Sequence, residues 1–159
     1  MRRVLSPSKV QRRTSAQVKK GKTPRQKIIK KLDDLVSKIV RARDGRCVVC
    51  GTTEDLQNGH LFSRASHSLR WDIRPDGNCH TQCGGCNLRH EYDFYPYSNW
   101  YIKKFGQEQY DLLYAEYRTV SKHSTSELEF MFEEMKREHK GEQAAKIPLQ
   151  RPRLKAPIH

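Results

Sequence analysis

Two Cys-x-x-Cys pairs, Cys47-Val48-Val49-Cys50 and Cys83-Gly84-Gly85-Cys86, constrain this chain more than any other feature. Each pair can hold one side of a tetrahedral ion, and the chain between them must fold back to close the shell. Four thiolates in a closed shell suit a structural zinc ion (Zn2+). Four unligated core cysteines have no need of that double spacing. The insert between the pairs is longer than in a plain zinc ribbon and has room for a β-hairpin. At 159 residues, 35% hydrophobic and 31% charged, the chain reads as one domain with tails and a small core, which a metal staple would stabilise. Five cysteines is an odd number, so Cys79 is left as a free thiol. No apolar stretch follows Met1-Arg2-Arg3 and no run reaches membrane-spanning length. A reduced, cytoplasmic compartment and no membrane partner are therefore expected.

The net charge of +13 is unevenly placed. Residues 1–31 hold twelve Lys/Arg and no Asp/Glu, and the remainder holds nineteen against eighteen. Such an arm is too polar to pack, and its expected partner is a polyanion, above all nucleic acid. A merely solubilising tail would not need to exclude every acidic residue.

Local signals divide the rest. Thr23-Pro24-Arg25-Gln26 opens a helix with a capping box, followed by Ile28, Leu32, Leu35, Val36 and Ile39 at helical spacing and a stop at Asp44-Gly45. Residues 56–74 read as two short strands, the second from the alternation of Leu69, Trp71 and Ile73 with Arg70, Asp72 and Arg74. Pro75–Asn78 reads as a turn. A helix is expected to start near Cys86-Asn87 and break at Pro96, with further helices over 98–105 and 107–120. Ser124–Glu127 forms a second capping box for a helix with Leu128, Met131, Phe132 and Met135 on one face, closed by Gly141. The expected organisation is a disordered basic arm over 1–22, a domain over 23–140 and a loose tail over 141–159.

His60 lies between the cysteine pairs, in Asn58-Gly59-His60-Leu61, and Asn87 follows the last cysteine. A neutral imidazole can take a proton from water near pH 7. One histidine of seven is ordinarily structural; His60 gains weight from Asn78, five residues before Cys83, and from Asn87. A simple zinc ribbon needs neither His60 nor Asn87 at these places.

This order of residues resembles the HNH, or ββα-metal, endonucleases, and at the Cys-x-x-Cys-Asn step the phage junction-resolving nucleases of the endonuclease VII type. The resemblance is strongest to the phage NinG (Rap) recombination proteins. It is carried by Cys47-Val-Val-Cys-Gly-Thr-Thr, Gly59-His60 followed by Ser63-Arg64, Leu69-Arg70-Trp71, Asn78 through Cys83, and Cys86-Asn87. It covers about residues 46–117. It implies an α+β fold: a zinc-stapled ββα-metal (HNH) core with flanking helices and a disordered basic N-terminal arm. It also implies a metal-dependent DNA endonuclease acting on branched recombination intermediates such as Holliday junctions, in the host cytoplasm if phage-encoded. A homodimer and recombination proteins are further possible partners.

The resemblance places His60 as general base, Asn78 in the middle position and Asn87 as ligand of a catalytic Mg2+ or Mn2+. The superfamily usually carries a metal ligand, often Asp, just before the base; here Gly59 has no side chain. His90 and Glu91 share a helical face with Asn87, and His90 is preferred as the added ligand because Glu91 reads equally as a solvated charge. Asn78 suits holding the loop better than touching substrate, and Arg64 is placed to clamp a phosphate. The aromatic run from Tyr92 to Tyr101 suits core packing, with stacking on exposed bases as the alternative. Two other functions fit: a non-catalytic zinc module that binds nucleic acid, and an interaction protein whose C-terminal helix recruits a recombinase or terminase.

Overall fold

The computed structural model describes residues 21–146, with side-chain surroundings through residue 141. The first twenty residues of the expected arm and most of the expected tail lie outside the described residues.

Helix α1 (Pro24–Asp44) starts at the expected capping box: the Thr23 hydroxyl accepts from the Gln26 amide at 3.2 Å and the Gln26 side chain accepts from the Thr23 amide at 2.9 Å. Pro24 needs no amide donor at that position. The helix ends at Gly45, whose φ of 68° lies in the left-handed region that side chains disfavour. Ile28, Leu32, Val36 and Val40 form the buried stripe.

Strands β1 (Leu56–His60) and β2 (Cys79–Cys83) pair antiparallel, with Leu56 opposite Cys83 and His60 opposite Cys79. Helix α2 (Gly84–His90) follows β2 directly and packs on both strands. Helices α3 (Tyr95–Phe105), α4 (Gln107–Tyr117) and α5 (Thr125–Lys146) complete the chain. The fold is α+β: a small hairpin held between α1 on one side and α2 on the other.

Two expectations are corrected. Residues 69–74 form no strand, and the second strand is Cys79–Cys83. Leu69 and Trp71 are indeed buried, but in two different clusters, because the 61–78 connection threads between them. Its carbonyls are taken by side chains instead of a ladder: Leu69 by Asn78, Arg70 by His60, Ile73 by Arg43. The true β2 is polar, and hydrogen bonds satisfy its buried His80 and Thr81. Thr81 donates its amide to Asp44 and its hydroxyl to the Val40 carbonyl, and His80 lies between the Tyr97 hydroxyl and the Pro75 carbonyl. Burial holds His80 down at about 4, so it is neutral. The second correction is Gly141, which does not end α5; the helix runs through it to Lys146.

Smaller shifts have simple causes. The metal-side helix starts at Gly84, because Cys83 caps it by accepting the Cys86 amide. Pro96 opens α3 rather than only breaking a helix, sitting in its first turn where no amide is required. Helix α4 stops at Tyr117, three residues short of expectation. The Ser124–Glu127 capping box is present.

Candidate functional site

The four paired cysteines converge, their Sγ atoms all within 4.8 Å of one another. Cys50 and Cys83 Sγ lie 3.7 Å apart. A tetrahedron with Zn–S bonds of ~2.3 Å has S···S edges of about 3.8 Å, so the cluster has the size of a zinc shell. The turn at Gly51, with φ of 80°, folds the first pair back, and the Cys47 amide closes it on the Thr52 carbonyl. Electrostatics fit the same role. Burial opposes ionisation of Cys47, yet the amides of Cys50, Cys83 and Val49 bring its thiol down to about 7. Burial and the other three thiols push Cys86 up. Four sulfurs this close cannot all ionise without a cation between them. The cluster can hold a zinc ion. Cys79 stands apart, fully buried, with its thiol pushed up to about 12 by burial.

Beside the cluster, Asn58, His60, Leu61, Ser63, Arg64, Asn87, His90, Glu91 and Phe94 line a cleft of about 450 Å³. Five of the residues expected at the site therefore meet: His60, Arg64, Asn87, His90 and Glu91. The end of β1 supplies His60, the loop after it supplies Arg64, and α2 supplies Asn87 and His90.

His60 Nε2 is 3.0 Å from the Arg70 carbonyl, which can only accept. Nε2 therefore carries the proton and Nδ1 the lone pair. Burial holds the imidazole below its ordinary 6.5, Arg64 adds to this, and the Arg70 carbonyl bond opposes it. Arg70 is fixed by Asp33 of α1 through contacts of 3.0 and 2.7 Å, and Trp71 Nε1 donates to the same carboxylate at 2.8 Å. Burial raises Asp33, but the bonds from Arg70 and Trp71 outweigh it and hold the carboxyl below its ordinary value.

Asn87 gives its amide nitrogen to Gln57 Oε1 at 3.1 Å. His90 donates Nε2–H to the Leu61 carbonyl at 3.1 Å, while its buried Nδ1 has no partner. A histidine fixed through one nitrogen with the other left bare is the usual posture of a metal ligand. Glu91 and Arg64 are exposed at the rim.

Asn78 is not in the cleft. It is fully buried; its Oδ1 accepts from the Phe62 amide at 2.7 Å and its Nδ2 donates to the Phe62 and Leu69 carbonyls. It pins both ends of the 61–69 loop and so positions His60 and Arg64. Gly59 also faces away: a Cβ there would lie 2.1 Å from Gln82 Oε1. The strand neighbour that shares the side of His60 is Asn58, whose Oδ1 is buried without a partner. Asn58, Gln57 and Asp33 are the site residues the sequence reading missed. Asn58 had one available signal, its position two residues before His60 on a strand.

The aromatic run divides. Tyr97 and Tyr101 are core with Leu61, Leu69 and Leu113, whereas Tyr92, Phe94 and Tyr95 are exposed. The apolar face of α5 is also accounted for: Leu128 is buried against α1, with Met131, Phe132 and Met135 packed beside it. That face is not free to recruit another protein.

None of the described helices is long and apolar enough to cross a membrane. A family model described as "NinG: Bacteriophage Lambda NinG protein" matches residues 2–146. "Protein ninG" of Escherichia phage 933W is 36% identical over 93 residues, 55% of this chain and 45% of that protein. "Protein ninG" of Enterobacteria phage VT2-Sa matches to the same extent. The chain thus spans under half the length of the curated relatives it matches. No solved structure matches it.

Proposed function

We propose that this chain, which belongs to the NinG family, is a metal-dependent DNA endonuclease of the HNH (ββα-metal) type. We further propose that it acts on branched recombination intermediates such as Holliday junctions. The observation that carries the reading is the meeting, in one cleft, of a neutral histidine whose Nδ1 carries the lone pair and two candidate ligands, Asn87 and His90, each held by a hydrogen bond. The hairpin followed directly by α2, with a four-cysteine cluster at their junction, supports it.

In this reading Cys47, Cys50, Cys83 and Cys86 hold zinc and tie β2 and α2 to the first cysteine turn. Asn87 and His90 hold a divalent ion, Mg2+ or Mn2+. Asn58 Oδ1 and His90 Nδ1 are buried polar atoms without a hydrogen bond, and such an ion would satisfy them. Bound there, the ion would stabilise charge on the phosphate and the leaving 3′-oxygen. His60 takes a proton from water at Nδ1 while Arg70 keeps its other nitrogen protonated, and the freed hydroxide attacks phosphorus in line. Arg64 presents a planar fork to the phosphate oxygens. Asn78 and Asp33 act through the loop and through Arg70, without touching DNA.

The test is incubation of purified protein with a four-way junction, a flap, a linear duplex and single strands, with and without Mg2+ or Mn2+. Metal-dependent cutting that is lost in His60→Ala supports the reading. No cutting of any substrate overturns it and leaves the zinc-containing nucleic-acid-binding module, with which the cysteine cluster is equally compatible.

A further inference from the structure

A second cleft among the described residues is larger than the one that holds His60. It is an open depression of about 740 Å³ between the start of α1, the 65–67 loop and the α4–α5 connection. Arg25, Arg118 and Lys122 line it together with His67 and His123, and among the described residues no carboxylate does. Arg118 and Lys122 are exposed and take no part in the described ion pairs. Arg25 joins the two helix starts by donating to the His123 carbonyl at 2.6 Å. The N-terminal ends of α1 and α5, each the positive end of a helix of more than twenty residues, are thereby brought to one place. The arm with eight Lys/Arg in residues 1–22 joins the fold at this same point.

This cleft and the candidate catalytic cleft are two sides of one loop. Ser63 and Arg64 line one; Ala65, Ser66 and His67 line the other. Three consecutive Cα steps separate Arg64 from His67 by at most ~11 Å, well inside one ~34 Å turn of duplex. A duplex whose phosphate reaches Arg64 is therefore long enough to reach the second cleft as well.

We infer that this second cleft binds the phosphodiester backbone of DNA flanking the cleavage point, with Arg118 and Lys122 as its phosphate-binding side chains. The inference rests on the nucleic-acid part of the proposed function and adds a site outside its catalytic residues. It makes one bound DNA span both clefts.

The test is DNA binding by full-length Arg118→Gln/Lys122→Gln across a salt series. Neither side chain makes a described hydrogen bond, so zinc content and thermal unfolding should match the wild type. The log–log salt slope should fall by about 1.8, at ~0.9 for each duplex phosphate that the protein no longer neutralises. Cleavage at saturating DNA and low salt should persist. An unchanged slope overturns the inference. So does protection of the wild type alone by inorganic phosphate without any difference in DNA binding, which would mark a small-anion site. A reduced slope in a protein that cuts nothing would sink the nuclease reading while leaving this site in place. Equal slopes with intact cutting would do the reverse.

Discussion

The His60 ring is held by the Arg70 carbonyl at 3.0 Å, and Arg70 is held in turn by Asp33 on α1. A residue at the hairpin end thus has its tautomer set by a loop carbonyl ten positions on, anchored to a helix that precedes the hairpin. If His60 Nδ1 is the base, cleavage should follow its protonation. Its value is held below 6.5 by burial, so the active neutral form dominates above that. The rate at saturating metal should rise with pH only below about 6.5, and stay flat from there to pH 8 as far as this group is concerned. His60→Ala should lower the rate by ~10²–10⁴-fold while leaving DNA affinity unchanged. A wild-type rate in that variant, read on the best-cut substrate, sinks the assignment.

Asp33→Asn should act through Arg70 and not through substrate. Replacing the carboxylate breaks a half-buried charge pair, with an expected cost of about 1–3 kcal/mol. Cleavage should fall less than in His60→Ala. The discriminating measurement is the pH–rate profile: the Arg70 carbonyl bond and the Asp33 charge both raise the His60 value against burial, so weakening them should shift the rising limb to lower pH. A profile that superimposes on the wild type would show that Arg70 does not need Asp33.

Asn58→Ala, Asn87→Ala and His90→Ala should each raise the Mg2+ or Mn2+ concentration needed for half-maximal cutting, by ~10–100-fold for a ligand or its close support. Zinc content should stay at the wild-type level, because the four sulfurs are unaffected. A variant with normal activity at low metal removes that residue from the ligand set. Glu91→Ala should change little, since Glu91 sits at the exposed rim.

Cys50→Ser or Cys83→Ser should lose zinc and stability together. The cluster joins the first cysteine turn, β2 and α2, so metal binding there is also folding free energy. The expected loss is about 3 kcal/mol or more, or a drop in Tm of ~10 °C or more. Cys79→Ser should keep its zinc, as its thiol lies outside the cluster. Elemental analysis and thermal unfolding check both.

Gly59→Asp, which would supply the residue common in the HNH endonucleases that the chain resembles, should not improve cutting. The new Cβ meets Gln82, whose side chain is fully buried with both polar ends unpaired. Overpacking at such a site costs about 1–3 kcal/mol. A variant that is as stable as the wild type and needs less metal would mean that position 59 can turn into the cleft.

The elements that could be read from sequence are those whose signal is local. Thr23 and Gln26, Gly45, and Ser124 with Glu127 set helix ends through bonds that span three or four residues. The paired cysteines imply convergence because two-residue spacing fits one metal edge. His60 and Asn87 could be nominated from their places beside the cysteine pairs together with the resemblance to the HNH endonucleases. What only the tertiary structure decided is everything that depends on residues brought in from elsewhere. The alternation at 69–74 records burial in two clusters, not pairing, and the buried Thr81 and His80 of the polar β2 are satisfied by distant partners. Asn58 displaces Gly59 as the neighbour that faces the cleft, because Gln82 fills the opposite side. Asp33 and Arg25 take their roles from partners 37 and 98 residues away, and no local pattern encodes a partner at that distance.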